Sequence, residues 1–154
     1  MKAISQILLA LLSLSFFATP ARVSQSPRGG MTAVPNSIST LLIRNLNDVF
    51  GENDPARRRA AIEEMFTEDS VFYDPLGGVY RGRDEIDQIA GKLRAMHPDF
   101  RYQPKAEPEI VGNGGRIQWV EGRPGEAPEV AGTDVIISRD GRIAAIYLFF
   151  DKLK

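Results

Sequence analysis

Two aspartates could carry protons in this chain, because each stands in or at the end of an apolar, β-prone segment. Asp74 ends the segment Val71–Asp74, which stops at the Pro- and Gly-containing turn 75–78. Asp134 lies within Val130–Ser138, among valines and isoleucines. If both carboxyls faced one apolar cavity, the more buried one would stay neutral and donate, and the more solvated one would ionise and accept. This predicts Asp74 as a general base and Asp134 as a proton donor.

Each of these polar side chains also has a purely structural interpretation. Asp74, in an Asp-Pro turn, can accept hydrogen bonds from nearby backbone amides. Asp134 needs a buried partner or a proton, and Arg116 or Arg142 on a neighbouring strand could pair with it. Asn45 falls in the apolar stripe of the first predicted helix, where its amide must bond to neighbouring backbone or face a polar cavity. The sequence leaves both interpretations open.

The composition indicates one soluble globular domain and excludes several kinds of chemistry. The chain has 154 residues, of which 43% are hydrophobic and 25% charged, with a net charge of −1. Its basic run, 57–59, lies beside Glu63 and Glu64 in a predicted helix, which is typical of a solvated face rather than of nucleic-acid binding. The absence of cysteine and the single histidine exclude thiolate catalysis and His-rich metal sites. We therefore expect no metal and no organic cofactor.

The N-terminal segment has the pattern of an export signal. Lys2 precedes the apolar run Ile7–Ala18, and small residues of the kind that a signal peptidase reads follow it. The run is shorter than the ~20 residues that span a bilayer. We expect a cleaved signal peptide at 1–21, a linker at 22–35, a periplasmic or secreted protein, and no stable membrane insertion. A start at Met31 would instead leave the predicted fold intact and the protein cytoplasmic.

Hydrophobic periodicity predicts three helices followed by strands. The helices are expected at about 37–51, 54–66 and 82–96. After the short strand that ends at Asp74, extended runs are expected at 100–112, 116–123, 130–138 and 142–151, separated by turns rich in Gly, Asn and Asp. This order predicts an α+β fold in which the helices pack on one side of a strongly bent antiparallel sheet, whose concave face leaves a pocket.

Three local motifs resemble a known family. The Asp-Pro-Leu-Gly turn at 74–77, the Gly-Arg-Asp-Glu-Ile helix start at 82–86 and the Asp-Gly hairpin at 140–143 are similar to the SnoaL-like branch of the nuclear transport factor 2-like superfamily, over residues 36–154. The resemblance implies a cone-shaped fold and a homodimer formed through the outer sheet face. Its members include steroid isomerases, polyketide cyclases, epoxide hydrolases and dehydratases, so the fold alone does not select a function.

The resemblance to ketosteroid isomerases is the most specific of these. Asp74 matches the turn that carries their general base, and Asp134 in the segment 133–136 resembles their protonated aspartate. Asn45 stands where these isomerases place a tyrosine on the first helix. An asparagine amide donates a hydrogen bond but lacks the acidity of a phenol, so the resemblance does not extend to steroid isomerisation.

The resemblance also implies which side chains line the pocket. It points one face of the last strand inward, although periodicity alone does not separate that face from Tyr147 and Phe149. Strand aromatics usually pack in a core, so a lining role requires a cavity. The predicted ligand-binding residues are Asn45, Phe72, Trp119, Ile146, Leu148 and Phe150.

Three functions fit this sequence. The first is a module that binds a small, mostly apolar molecule. The second is a cofactor-free isomerase, cyclase or hydrolase/dehydratase that uses Asp74 as base and Asp134 as donor. The third is a dimerising interaction domain without a ligand, which predicts a filled cone and an exposed apolar sheet patch.

Overall fold

The computed structural model describes residues 36–153, so the predicted signal peptide and linker lie outside the described residues. Within this range, no helix combines the length and the apolarity needed to cross a membrane. The helices are α1 (Ile38–Arg44), continued by a π-helical segment (Asn45–Phe50), α2 (Pro55–Met65) and α3 (Gly82–Met96). The strands are β1 (Phe66–Tyr73), β2 (Val79–Arg81), β3 (Arg101–Pro104), β4 (Glu109–Val111), β5 (Gly114–Gly122), β6 (Val130–Arg139) and β7 (Arg142–Phe150).

The first two helices begin at the caps that the sequence predicts. Ser37 Oγ accepts a hydrogen bond from the Thr40 amide at 3.1 Å. Asp54 Oδ1 accepts from the Arg57 amide at 2.9 Å, and Pro55 occupies the first helical position, where its missing N–H costs nothing. These caps fix where α1 and α2 start.

The sheet has the strand order β2-β1-β7-β6-β5-β3, with β4 also paired to β5. The α+β class with helices on a curved sheet is confirmed, but one pair differs from the antiparallel prediction, because β1 and β7 run parallel. Parallel strands need a long crossover, which the chain between β1 and β7 supplies. This pairing places β7 between β1 and β6, at the centre of the sheet.

Three strand boundaries differ from the sequence prediction. The run expected at 100–112 is divided into β3 and β4, because Pro104 and Pro108 lack the N–H that a continuous ladder needs. β1 begins at Phe66 rather than Val71, with a register shift between these two residues. Strand β2 follows the turn at 75–78, where the sequence indicates only a break.

Two tight turns set the register of the antiparallel strands. Asp140 and Gly141 both have positive φ, at 54° and 71°, and join β6 to β7 as the predicted two-residue hairpin. The turn between β4 and β5 lies at 112–113, where Gly112 has φ 58°, rather than at 113–115 as predicted. The β6–β7 hairpin places Asp134 opposite Leu148.

The hydrophobic core lies between the helices and one face of the sheet. On β7, Ile143 and Ile146 are fully buried on this side, whereas Tyr147 and Phe149 are exposed on the other. Helix α1 approaches β5 closely at Gly115, where a Cβ atom would lie 2.6 Å from Ile38 Cγ2. Among the buried residues in this layer are also Leu41, Leu42, Leu46, Val49, Ile62, Met65, Phe66, Ile86 and Ile117.

Candidate functional site

Asp134 is the centre of a polar cluster inside the core. Its side chain lies on β6, and the residue is 5% exposed. Asn45 Nδ2 donates to Asp134 Oδ2 at 3.1 Å, and Trp119 Nε1 donates to Asp134 Oδ1 at 3.0 Å. Both carboxylate oxygens therefore accept a bond from a neutral donor. Neither arginine that the sequence suggested as a partner binds it: Arg116 contacts Glu109, and Arg142 contacts backbone carbonyls.

Asn45 reaches Asp134 from the first helix. It is the first residue of the π-helical segment and is fully buried. Segments of π-helix are frequent at functional sites, since the wider turn re-aims the side chains. Within residues 36–153, Asn45 Oδ1 has no hydrogen-bond partner, so the amide oxygen is a buried acceptor that is not used in the fold.

Trp119 reaches the same carboxylate from β5. Its Cα pairs with Gly132 of β6, and a Cβ atom at Gly132 would lie 2.5 Å from Trp119 Cζ2. The indole therefore crosses the glycine on its way to Asp134, which is two residues further along β6. A glycine at this position is what lets the ring lie flat enough to donate its N–H.

Burial changes the proton affinity of Asp134. Loss of hydration raises the pKa of Asp134 from 3.8 to about 6, against the lowering effect of the hydrogen bonds from Trp119 and Asn45. Neutral amide and indole donors stabilise the charge less than an arginine would, so desolvation prevails. The carboxyl group can therefore change its protonation state close to neutral pH.

A small cavity of about 30 Å³ adjoins this cluster, with room for one or two water molecules. Asp134 contributes its acidic group to an otherwise mostly apolar wall. Three of the lining side chains, Leu93, Tyr102 and Leu148, are only half-buried, so the cavity opens to solvent on their side. The lining residues are Leu46, Phe50, Phe72, Leu93, Tyr102, Trp119, Asp134 and Leu148.

A second polar group backs the cavity at Tyr102. Its ring packs edge-on against Trp119, with centroids 5.0 Å apart. Tyr102 pairs across strands with Glu121. Burial raises the pKa of Glu121, although the Arg94 guanidinium 3.5 Å away and the Tyr102 hydroxyl both lower it. Burial likewise holds the pKa of Tyr102 well above its usual value, so the phenol stays protonated.

The structure brings together Asn45, Phe72, Trp119, Asp134 and Leu148 of the residues predicted for the site. The other three lie elsewhere. Asp74 Oδ1 accepts from the Leu76 amide at 2.8 Å in a local turn, outside the cavity lining. Ile146 is fully buried in the core without lining the cavity. Phe150 is 49% exposed near the end of β7.

Four lining residues were not predicted from the sequence. Leu46 and Phe50 follow Asn45 at helical spacing, a signal that also fits plain core packing. Leu93 belongs to the inward stripe of α3. Tyr102 lies between Arg101 and Gln103, a context that gives no indication of burial. Residues 36–153 contain no group of three or more acidic or histidine side chains that could hold a metal ion.

The polar cluster lies in a part of the chain that matches a known domain family. A sequence profile for the SnoaL-like domain matches residues 43–146, which is more than half of the chain. The protein belongs to the SnoaL-like domain family. No protein with a curated description matches this SnoaL-like chain. The matched range contains Asn45, Trp119 and Asp134, so the whole polar cluster lies inside the family domain.

Solved structures of similar fold come from several bacteria. A SnoaL-like family protein from Agrobacterium tumefaciens, named as an isomerase, is 27% identical, with a TM-score of 0.68 over 73% of this chain and 96% of its own. A protein from Sinorhizobium meliloti, named as a polyketide cyclase, is 21% identical, with a TM-score of 0.56 over 71% and 93%. A protein of ketosteroid isomerase-like fold from Catenulispora acidiphila, solved in complex with trimethylamine, is 16% identical, with a TM-score of 0.59 over 72% and 85%. The last two likenesses show the fold alone.

Proposed function

We propose that this SnoaL-like domain binds a small, mostly apolar molecule in the cavity, with Asp134 holding its polar group. The observation that carries the proposal is a buried carboxylate at the wall of an otherwise apolar cavity. Asn45 and Trp119 each occupy one acceptor position on Asp134, and a carboxylate offers about four. A ligand that donates to a remaining position would offset part of the cost of burying the charge.

The size of the cavity limits the ligand. Pockets for drug-sized ligands measure roughly 300–1,000 Å³, far more than the 30 Å³ found here. We infer a ligand of few atoms, or one whose polar end enters while its apolar part stays between Leu93 and Leu148. The trimethylamine complex of a protein with this fold supports a ligand of few atoms.

Trp119 makes the proposal directly testable, because it is the single tryptophan of the chain. Its fluorescence and its indole N–H resonance both report on the cavity wall. Titration with 2-propanol should change both signals saturably. Leu93→Phe, which crowds the mouth, should abolish the response, whereas Leu76→Phe, the same change at an 83% exposed loop position, should preserve it. A response that never saturates, or that is equal in both variants, contradicts ligand binding in the cavity.

A second function, cofactor-free proton transfer, is favoured by the raised pKa of Asp134. A group whose pKa is about 6 can both take and return a proton near neutral pH. The Agrobacterium tumefaciens relative, named as an isomerase, supports the same reaction class. In this hypothesis Asp134 acts on a ligand in the cavity, and Asp74 supplies the base that the ketosteroid isomerase resemblance implies.

Acetone in D₂O provides a probe for this chemistry. A protein base removes an α-proton, the enolate forms, and deuterium from solvent returns to carbon, which proton NMR follows as signal loss. Asp134→Asn should reduce exchange to the buffer rate. If Asp74 is the base, Asp74→Asn should abolish exchange and leave 2-propanol binding unchanged. An unchanged rate would remove Asp74 from the mechanism, and a wild-type rate equal to buffer would reject the enzyme hypothesis.

We also propose that two copies associate through the outer sheet face. Tyr147 and Phe149 are 38% and 54% exposed on the side of β7 away from the helices. Tyr73 on the parallel neighbour β1 stacks on Tyr147, with ring centroids 4.7 Å apart, which extends the apolar surface across two strands. Aromatic side chains are enriched at protein interfaces, which supports the homodimer expected from the family resemblance.

A further inference from the structure

The polar groups of the cavity wall can accept hydrogen bonds when Asp134 is ionised. Asn45 and Trp119 each direct one N–H group at the Asp134 carboxylate, so neither of these two N–H groups is available to a ligand. The Tyr102 hydroxyl belongs to a residue that lines the cavity, and its oxygen can accept a hydrogen bond. Asn45 does not line the cavity, but its Oδ1 is a further buried acceptor with no partner within residues 36–153. A ligand that donates hydrogen bonds therefore suits these groups.

The charge of the cavity wall is also uncompensated. Glu121 lies beside Arg94, with Arg94 Nη1 3.5 Å from Glu121 Oε1, so that carboxylate has a cationic neighbour. Arg94 is otherwise fully engaged by Asn53 and by the carbonyl groups of Pro98 and Phe100. Asp134 forms no ion pair with any Lys, Arg or His of the described range, since its partners there are the neutral donors named above. A cation bound in the cavity would supply the missing countercharge.

The walls specify what kind of cation this is. Phe50, Phe72, Tyr102 and Trp119 present aromatic rings, and aromatic rings attract ammonium groups while tolerating their alkyl substituents. An inorganic cation needs several oxygen ligands or retained water, and a wall made mostly of hydrocarbon does not provide them. The surroundings therefore match an organic ammonium ion better than a metal.

From this juxtaposition of acceptors and aromatic walls, we propose that the ligand of the cavity is a small alkylammonium ion, its N–H groups donating to Asp134 and Tyr102. This deepens the proposed function and rests on it. The alkyl part lies against Leu93 and Leu148 at the mouth, where the lining is half-buried. A neutral acceptor such as a ketone gains no hydrogen bond from the ionised Asp134 carboxylate, and an anion would be repelled by it.

Three isosteric probes separate this proposal from simple binding: isopropylammonium, 2-propanol and acetone, each with four heavy atoms. All would be titrated at matched ionic strength, with the fluorescence and indole N–H signal of Trp119 as readouts. Isopropylammonium and 2-propanol can both donate to the Asp134 carboxylate, but only the ammonium adds the attraction of an opposite charge. Isopropylammonium should therefore bind about tenfold more tightly than 2-propanol, and acetone most weakly. Asp134→Asn, which removes the charge, should bring the first two probes to similar affinity. Asp140→Asn, the same change at an exposed turn position outside the cavity, should leave the tenfold preference intact.

The outcomes distinguish a failure of the ammonium proposal from a failure of the proposed ligand binding in the cavity. If 2-propanol binds saturably but isopropylammonium binds no better, the ammonium assignment fails and the proposed function stands. If none of the three probes binds saturably, both fail. If the preference persists in Asp134→Asn, the carboxylate is not its source and the proposal is overturned. If Asp134→Asn does not fold, the comparison of isopropylammonium with 2-propanol binding to the wild type is decisive by itself. Tyr102→Phe keeps the ring but removes the hydroxyl, and it should weaken isopropylammonium binding several-fold.

Discussion

The buried carboxyl of Asp134 should make the stability of this protein depend on pH in an unusual direction. Glu52 and Asp99 show the usual direction: the pKa of each is lowered by a nearby arginine, so these groups stabilise the fold as pH rises. Asp134 has the opposite sign, because burial raises its pKa from 3.8 to about 6. Between these values the folded state holds a proton that the unfolded state has released. Stability contributed by this group is therefore complete below about pH 4 and is lost as pH rises through about 6.

The magnitude follows from the size of the pKa change. A tenfold change in proton affinity corresponds to about 1.4 kcal/mol, so the rise from 3.8 to about 6 corresponds to about 3 kcal/mol of unfolding free energy. Asp134→Asn has nearly the same shape and does not titrate. The free energy of unfolding of the wild type minus that of Asp134→Asn should therefore fall by about 3 kcal/mol between about pH 4 and about pH 7.

Urea denaturation of both proteins across this pH range measures the difference directly, and titrations common to both proteins cancel. Trp119→Phe gives an internal control, because it removes one of the two donors to Asp134 and should steepen the fall. A difference that stays flat would mean that burial does not raise the pKa of Asp134. A difference that increases with pH would mean that Asn45 and Trp119 outweigh desolvation, and the reasoning on the site would be wrong.

Three further substitutions test the packing of Trp119 on Gly132, the proposed dimer interface and the cap of α2. Gly132→Ala should destabilise the protein by roughly 1–3 kcal/mol and shift the indole resonance of Trp119, because the new methyl group would lie 2.5 Å from that ring; an unchanged resonance would contradict the close approach. Phe149→Lys should convert the proposed homodimer to a monomer in light scattering, while Leu76→Lys should not, and a wild-type monomer would reject the interface. Asp54→Ala should cost about 1 kcal/mol in urea denaturation by removing the cap of α2.

The sequence predicts the helices well because their signals are local. Asp54-Pro55 and the glycine and acids at the start of α3 fix helix ends without reference to the rest of the chain. The Asp140–Gly141 hairpin is likewise encoded by residues that tolerate positive φ. The parallel β1–β7 pair has no such local signal, since it joins strands far apart in the chain. The π-helical segment at 45–50 also carries no distinguishing pattern, although it positions Asn45.

In the site, too, the sequence predicts local features but not contacts between distant parts of the chain. That Asp134 lies in an apolar strand is visible in the sequence, and its burial follows. That its partners are Asn45 and Trp119 depends on strand register and on the approach of α1, which the sequence leaves open. Tyr102 was missed for the same reason, because its burial depends on its pairing with Glu121.

The loss of unfolding free energy that Asp134 causes near neutral pH indicates that the site is functional. A neutral side chain that accepted from Trp119 alone would remove the charge, and with it the loss of about 3 kcal/mol expected near neutral pH. Single substitutions commonly raise stability by about 0.5–2 kcal/mol, so a loss of this size is large, and sequence choices that lower stability concentrate at functional sites. A structural role does not explain why a destabilising carboxylate is present at this position. The cavity beside Asp134 does explain it, because a carboxylate in the wall of an unfilled apolar cavity can still accept hydrogen bonds from a ligand. If Asp134→Asn proved more stable above about pH 6 yet lost its preference for isopropylammonium, stability and binding would be shown to oppose each other at one residue.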